Sequence, residues 1–113
     1  MSHHYLILIV ALCALSFARA TWTEDTSVGS PQEWHTITSS SDGTKLAAGV
    51  VYGNIWTSSD SGATWTEDTS VGTTKKWCSI TSSSDGTILA AVVANGNIWV
   101  SEDSGESWTS DDS

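Results

Sequence analysis

The sequence predicts an all-β fold that consists of two consecutive four-stranded antiparallel blades of the β-propeller type. Residues 21–63 align without a gap on residues 64–106, and 30 of the 43 aligned positions are identical. A repeat of about 40–45 residues that holds several short strands has the length of a propeller blade. The chain after residue 20 is also rich in Ser, Thr, Gly and Trp and has no helical apolar period.

Each unit contains four predicted strands, named A to D. Asp-Gly and Gly-Asn pairs between the apolar runs favour tight turns that need a positive φ, and these turns set the strand ends. In the first unit strands A to D are predicted at 34–39, 45–52, 55–58 and 63–67. In the second unit they are predicted at 77–82, 88–94, 97–101 and 107–110.

One predicted strand is surplus, because residues 21–25 duplicate the D strand of the first unit. Two blades leave two apolar faces open, and a chain of this size buries too little core by itself. We therefore expect homo-oligomerisation to complete the propeller, with a trimer giving six blades and a tetramer giving eight. Addition of the surplus strand to a neighbour would instead build a filament. A fragment of a longer propeller is the third possibility.

The C-to-D hairpins of both units fit the pattern S-x-D-x-G-x-[ST]-W, and residues 107–113 provide the closing strand. The pattern resembles the Asp-box, or BNR repeat, of sialidase-like and sortilin-like propellers, and the resemblance covers the whole chain after residue 20. It implies a structural role in which the Asp accepts hydrogen bonds from its own turn. The residues of the pattern are Ser58, Asp60, Gly62, Trp65, Ser101, Asp103, Gly105 and Trp108.

Residues 1–20 are predicted to be a secretory signal peptide. Residues 5–18 are apolar except for Ser16, and residues 18–20 provide a small-x-small cleavage site before Thr21. A run of about 14 residues is too short to span a bilayer. The alternative is an amphipathic or buried N-terminal helix. Residues 21–113 are therefore expected to form a secreted, extracellular two-blade unit.

The charge of the mature chain restricts its partners. Thirteen acidic residues face only three cations, Lys45, Lys75 and Lys76, so the net charge after residue 20 is −10. This charge disfavours nucleic acid and membrane surfaces as partners. Cys78 is the one cysteine after residue 20. A single cysteine in a secreted chain indicates either a buried thiol, which we favour, or an intermolecular bridge.

The composition predicts a protein that is not an enzyme and that has no catalytic residue, metal site or cofactor. Sialidase-type sites grip a carboxylate with several arginines, and the mature chain has none. His35 is its only histidine, which argues against a Ser-His-Asp set. Glycoside hydrolysis needs two positioned carboxylates in a cleft, whereas most acids here belong to duplicated turns.

The differences between the two units predict where a ligand would bind. Nine of the thirteen differing positions fall near the D-to-A or B-to-C connections, which share one face of a propeller disc. Indole rings stack on sugar C–H surfaces, so the first functional hypothesis is a lectin-like, carbohydrate-binding module. Its size and plan resemble those of small two-blade fucose lectins. The candidate ligand-binding residues are Trp34, Trp77, Tyr52, Asn95, Glu33 and His35, with packing between blades as the alternative role of the two tryptophans.

The second hypothesis is an extracellular structural or filament-forming subunit that binds copies of itself. Glu33 is then expected to meet Lys75 or Lys76 both within the chain and across the contact between subunits. The candidate assembly residues are Trp22, Glu33, Lys75 and Lys76. Closed discs under the electron microscope would favour the first hypothesis, and fibres the second.

Overall fold

The structure, a computed structural model, describes residues 21–111 and is all-β. The predicted signal peptide and residues 112–113 lie outside the described residues. Eight strands follow one another: β1 (Trp34–Ser39), β2 (Leu46–Gly53), β3 (Ile55–Ser58), β4 (Thr66–Asp68), β5 (Lys75–Ser82), β6 (Leu89–Val93), β7 (Ile98–Ser101) and β8 (Thr109–Asp111). In the described part of the chain, no helix has the length and apolar character needed to cross a membrane.

The strands form two antiparallel meanders, β1–β4 and β5–β8, which we call blade 1 and blade 2. The two predicted four-stranded units are therefore confirmed. Strands β1 and β3 have the predicted bounds. The D strand of blade 1 begins at Thr66 instead of Ala63. The reason is that the amide of Thr64 bonds to the side chain of Asp60 and not to a neighbouring strand.

The core lies between the blades. It combines two small or branched residues of blade 1 with four residues of blade 2: Ala47, Ile55, Trp77, Ile80, Leu89 and Ala91. Strand β2 pairs with the start of β5 at Val51–Lys76 and Gly53–Lys75, so the two blades share one hydrogen-bonded sheet. Each blade therefore depends on its neighbour to bury its apolar face.

The predicted surplus strand does not form in the single chain. Residues 21–33 belong to no strand, and Trp22 is 99% exposed. A D strand pairs with the C strand of its own blade, as β4 pairs with β3. The described residues hold no blade before β1, so residues 21–25 have no such strand to join.

Candidate functional site

The two S-x-D-x-G-x-[ST]-W hairpins are organised by hydrogen bonds within each hairpin. Asp60 accepts the amide of Thr64 at 2.8 Å and the hydroxyl of Ser58 at 2.8 Å. The Ser58 hydroxyl oxygen in turn accepts the amide of Gly62 at 2.9 Å. Blade 2 repeats these contacts with Ser101, Asp103, Gly105 and Ser107. The acceptor atoms of these carboxylates thus serve their own turns.

The same hydrogen bonds lower the pKa of the turn carboxylates. The Ser107 hydroxyl, then the Ser107 amide, lowers the pKa of Asp103 to about 2. The Thr64 hydroxyl and amide likewise lower the pKa of Asp60. Aspartates in the A-to-B turns follow the same rule, since backbone amides and hydroxyls lower the pKa of Asp42 and of Asp85 to about 2.

These shifts predict acid-sensitive folding. A carboxylate whose pKa is lower in the folded state stabilises the fold fully above its unfolded pKa of about 3.9, and this stabilisation is lost as the pH falls towards 2. We expect the midpoint of urea unfolding to be constant from about pH 7 to 5 and to fall steadily between about pH 4 and 2. Replacing Asp42 and Asp85 by Asn should flatten this slope. Equal midpoints at pH 5 and pH 2.5 would contradict the assigned role.

Each blade holds a cluster of three indole rings. In blade 1 the centroid of Trp34 lies 6.1 Å from that of Trp56 and 6.3 Å from that of Trp65. Trp77, Trp99 and Trp108 repeat this geometry in blade 2. The third indole of each cluster donates its N–H to an aspartate 40 residues earlier, at 2.8 Å from Trp65 to Asp25 and at 2.6 Å from Trp108 to Asp68.

The two clusters differ in how far they are covered. Trp77 is 1% exposed and Ile80 is 7% exposed, because blade 1 packs on this face of blade 2. The equivalent residues of blade 1, Trp34 and Ile37, are 43% and 63% exposed. We call this uncovered face of blade 1 the leading face.

A cleft of about 660 Å³ lies over the leading face. Trp34, His35, Ile37 and Ala48 lie along the face, and the segment Glu24–Gln32 contributes much of the remaining lining. The cleft therefore corresponds to the space that blade 1 fills over the equivalent face of blade 2.

The opposite face of blade 2, which we call the trailing face, is also apolar and open. Ile88, Val92 and Ile98 are 49%, 37% and 48% exposed. The residue of blade 1 equivalent to Ile98 is Ile55, which is 2% exposed because blade 2 covers it. The repeat thus ends in two apolar faces, one on each side.

The structure separates the predicted ligand-binding residues. Trp34 and His35 line the cleft. Tyr52 and Asn95 lie where strand B of each blade turns into strand C, exposed and at positive φ, and are not part of the cleft lining. The prediction that Trp77 binds a ligand is wrong. Its ring is buried at the joint between the blades, and its indole N–H donates to the Gly53 carbonyl at 3.1 Å.

The predicted contact of Glu33 with a lysine of its own chain is also wrong. The ammonium group of Lys75 lies 5.0 Å from the centre of the Trp99 ring and donates to Thr73. That of Lys76 lies 5.9 Å from the centre of the Tyr52 ring. Their aliphatic stems can pack along the rings, and the ring faces attract the charge.

Cys78 is a free, half-buried thiol, so the expected full burial is wrong. The pairing of β5 with β6 is irregular between Trp77 and Ser79. This bulge breaks the alternation that would have placed Cys78 on the buried face with Ile80. Residues 21–111 contain no group of three or more His, Cys, Asp or Glu side chains that could hold a metal ion.

Sequence reasoning missed the apolar residues of the trailing face. A usable signal lies in three differences between the repeats, because Lys45, Gly49 and Thr57 are replaced by Ile88, Val92 and Val100. Gly49 and Thr57 both face blade 2, where they meet Trp77 and Gly105. The changes therefore make the uncovered face more apolar than the covered one.

No family model and no curated protein matches the sequence. The chain is similar to part of the GH74 enzyme from Niastella koreensis, with a TM-score of 0.56 and 28% identity over 68% of this chain and 11% of that chain. It is also similar to YCF48 from Cyanidioschyzon merolae, with a TM-score of 0.57 and 19% identity over 72% of this chain and 24% of that chain. Both are β-propeller proteins, which supports the blade fold. The chain spans less than a quarter of the length of either one.

Proposed function

We propose that this chain is a secreted, non-enzymatic β-propeller module that assembles with copies of itself, the trailing face of one copy packing on the leading face of the next. The observation that carries the proposal is the pair of equivalent positions Trp34 and Trp77, which are 43% and 1% exposed. A second copy would cover Trp34 as blade 1 covers Trp77. The hairpins of the two blades support their assignment to the Asp-box, or BNR, type.

The contact between blade 1 and blade 2 within one chain is called the internal joint. The hydrogen bonds across it have chemically suitable equivalents in a joint between copies. Trp77 donates to the Gly53 carbonyl, and the equivalent acceptor for Trp34 is the Gly96 carbonyl of the preceding copy. The amide of Ile80 donates to the Thr36 hydroxyl at 3.2 Å. The residue equivalent to Thr36 in blade 2 is Ser79, which keeps a hydroxyl for the amide of Ile37.

Two positions at which the repeats differ also support the joint between copies. Lys76 lies over the ring of Tyr52 at the internal joint. The equivalents of these residues are Glu33 and Asn95, which would meet between copies. A carboxylate and an amide form a charge-assisted hydrogen bond, so both joints have complementary partners.

At Val92, the joint between copies needs more room than the joint between blade 1 and blade 2 has at Gly49. A Cβ on Gly49 would lie 3.1 Å from the Cβ of Trp77, yet the equivalent of Gly49 on the trailing face is Val92. The loss of a methyl from Thr36 to Ser79 makes some of the required room. Because propellers close with about four to eight blades, three or four copies of the chain would form a ring of six or eight blades.

A charge on the leading face tests the proposal. Ile37→Asp should convert assembled protein into monomers that keep their strand content, because the aspartate would be buried without a partner. Native mass spectrometry at micromolar concentration measures this. Thr69→Asp is the matched control, since Thr69 is exposed and its equivalent at position 112 is already Asp. A monomeric parent protein, or an Ile37→Asp variant that assembles like the parent, would overturn the proposal.

Carbohydrate binding is the second candidate function, and the cleft over Trp34 supports it. Indole and imidazole rings with nearby amide and carboxylate groups suit a sugar. Self-assembly would fill this cleft, so the two functions compete for one surface. A glycan array probed with the parent and with Thr69→Asp would favour sugar binding if both bind one glycan and Trp34→Ala does not.

A further inference from the structure

We propose that copies join by strand exchange, with residues 22–25 of the following copy replacing β8 on the edge of β7. This inference rests on the proposed self-assembly and describes how the joint is made. It starts from three related segments, 22–25, 65–68 and 108–111, which read WTED, WTED and WTSD. The second and third segments contribute β4 and β8, whereas the first has no strand partner.

Asp25 already stands where a D-strand aspartate belongs. Asp68 has two roles, since it pairs with Ile55 at the end of β4 and accepts the indole N–H of Trp108 in the next blade. Asp25 accepts the indole N–H of Trp65 at 2.8 Å, as Asp68 does for Trp108, but it pairs with no strand in the single chain. Asp111 pairs with Ile98 at the end of β8, as Asp68 pairs with Ile55 at the end of β4.

Two aspartates therefore compete for one place when copies join. A joint equivalent to the internal one brings Asp111 of the preceding copy and Asp25 of the following copy to the same position beside Trp65. Only one of the two segments, 22–25 of the following copy or 108–111 of the preceding copy, can occupy this position. Residues 22–25 can keep the contact of Asp25 with Trp65 and also gain the three paired positions along β7.

The side chains of β7 favour the incoming segment. In blade 1, the amide of Asn54 donates to the carboxylate of Glu67 at 2.9 Å. In blade 2, Asn97 donates to the hydroxyl of Ser110 at 2.9 Å. Glu24 of the following copy stands at the position of Ser110 and would restore the charge-assisted bond, which is the stronger of the two. Trp22, 99% exposed in the single chain, would take the place of Trp108 against Trp77.

Disulfide trapping tests the exchange. Val100 pairs directly with Thr109, so exchange would place Thr23 of another copy opposite Val100. Cross-strand neighbours lie within the Cα separation that a disulfide needs. In a Cys78→Ser background, proteins carrying Thr23→Cys and Val100→Cys are mixed and oxidised. The expected main product is a disulfide-linked pair of the two chains, seen on a non-reducing gel.

A locked variant provides the second measurement. Val100→Cys with Thr109→Cys in one chain should form an internal disulfide that holds β8 in place. We expect the oxidised protein to remain monomeric and to assemble after reduction. The Cys78→Ser parent, treated with the same oxidant and reductant, is the control.

The outcomes separate this inference from the proposed function. Assembly of the locked protein to the same extent as the parent, with no cross-link between Thr23→Cys and Val100→Cys, would overturn the exchange and leave face-to-face packing intact. Absence of any assembly, by light scattering of the parent, would overturn both.

Discussion

Trp77→Ala is expected to destabilise the chain by about 3–5 kcal/mol, the usual loss when a buried large aromatic side chain is truncated. The indole is 1% exposed, packs on Trp99 and Trp108 and donates across the joint to the Gly53 carbonyl. Its removal opens a void in the core shared by the blades and leaves that carbonyl without its donor. Urea unfolding followed by circular dichroism measures the change, and a marginal two-blade unit should be largely unfolded in water.

Trp34→Ala is the matched comparison, because Trp34 occupies the same position in the repeat. Nearly half of its surface is exposed, so its truncation should cost about 1–2 kcal/mol in a monomeric Ile37→Asp background. In the otherwise unchanged chain it should abolish assembly. Equal losses of stability from the two substitutions in that background would show that coverage by a neighbouring blade does not distinguish them.

The blades could be predicted from the sequence because their determinants are local. The Asp-Gly turns and the S-x-D-x-G-x-[ST]-W hairpins set the strand ends through contacts that span at most five residues, such as the amide of Thr64 with Asp60. The same locality explains the accurate bounds of β1 and β3. The predicted D strands begin too early, because the amides of Thr64 and Ser107 donate to Asp60 and Asp103 of their own hairpins and not to a neighbouring strand.

The different environments of the repeats could not be predicted from one blade. Trp34 and Trp77 stand at identical positions of the repeat, and their exposure differs because blade 1 covers this face of blade 2, whereas no described blade covers the same face of blade 1. The burial of Cys78 could not be predicted for another reason, because the bulge in β5 is invisible in the alternation of apolar residues. The aromatic partners of Lys75 and Lys76 lie on other strands, 24 residues away in both cases.

The joint between blades has a second sensitive position, at the glycine of each C-to-D hairpin. Gly105 has a φ of +93°, where an L-residue is strained, and a Cβ there would lie 2.9 Å from the Cγ2 of Thr57 in blade 1. Gly62 has nearly the same backbone, with a φ of +91°, but its nearest atoms would lie at 3.4 Å. The pair thus separates backbone strain from contact across the joint.

Gly105→Ala is expected to destabilise the chain by about 2–4 kcal/mol, because strain and overpacking add. Gly62→Ala should cost about 1–2 kcal/mol, from strain alone. Urea unfolding of both variants in the Ile37→Asp background measures the difference. Equal losses would show that the hairpin of blade 2 is not pressed against blade 1.

Gly62→Ala is expected to weaken assembly more than it destabilises the single chain. The residue equivalent to Thr57 on the trailing face is Val100, which would meet the new methyl at position 62 across the contact between copies. The concentration needed for assembly should therefore rise in Gly62→Ala by more than the loss of about 1–2 kcal/mol in the single chain accounts for. Dilution series by light scattering measure that concentration. Assembly of Gly62→Ala at the same concentration as the parent would mean that the hairpin of blade 1 lies away from the neighbouring copy.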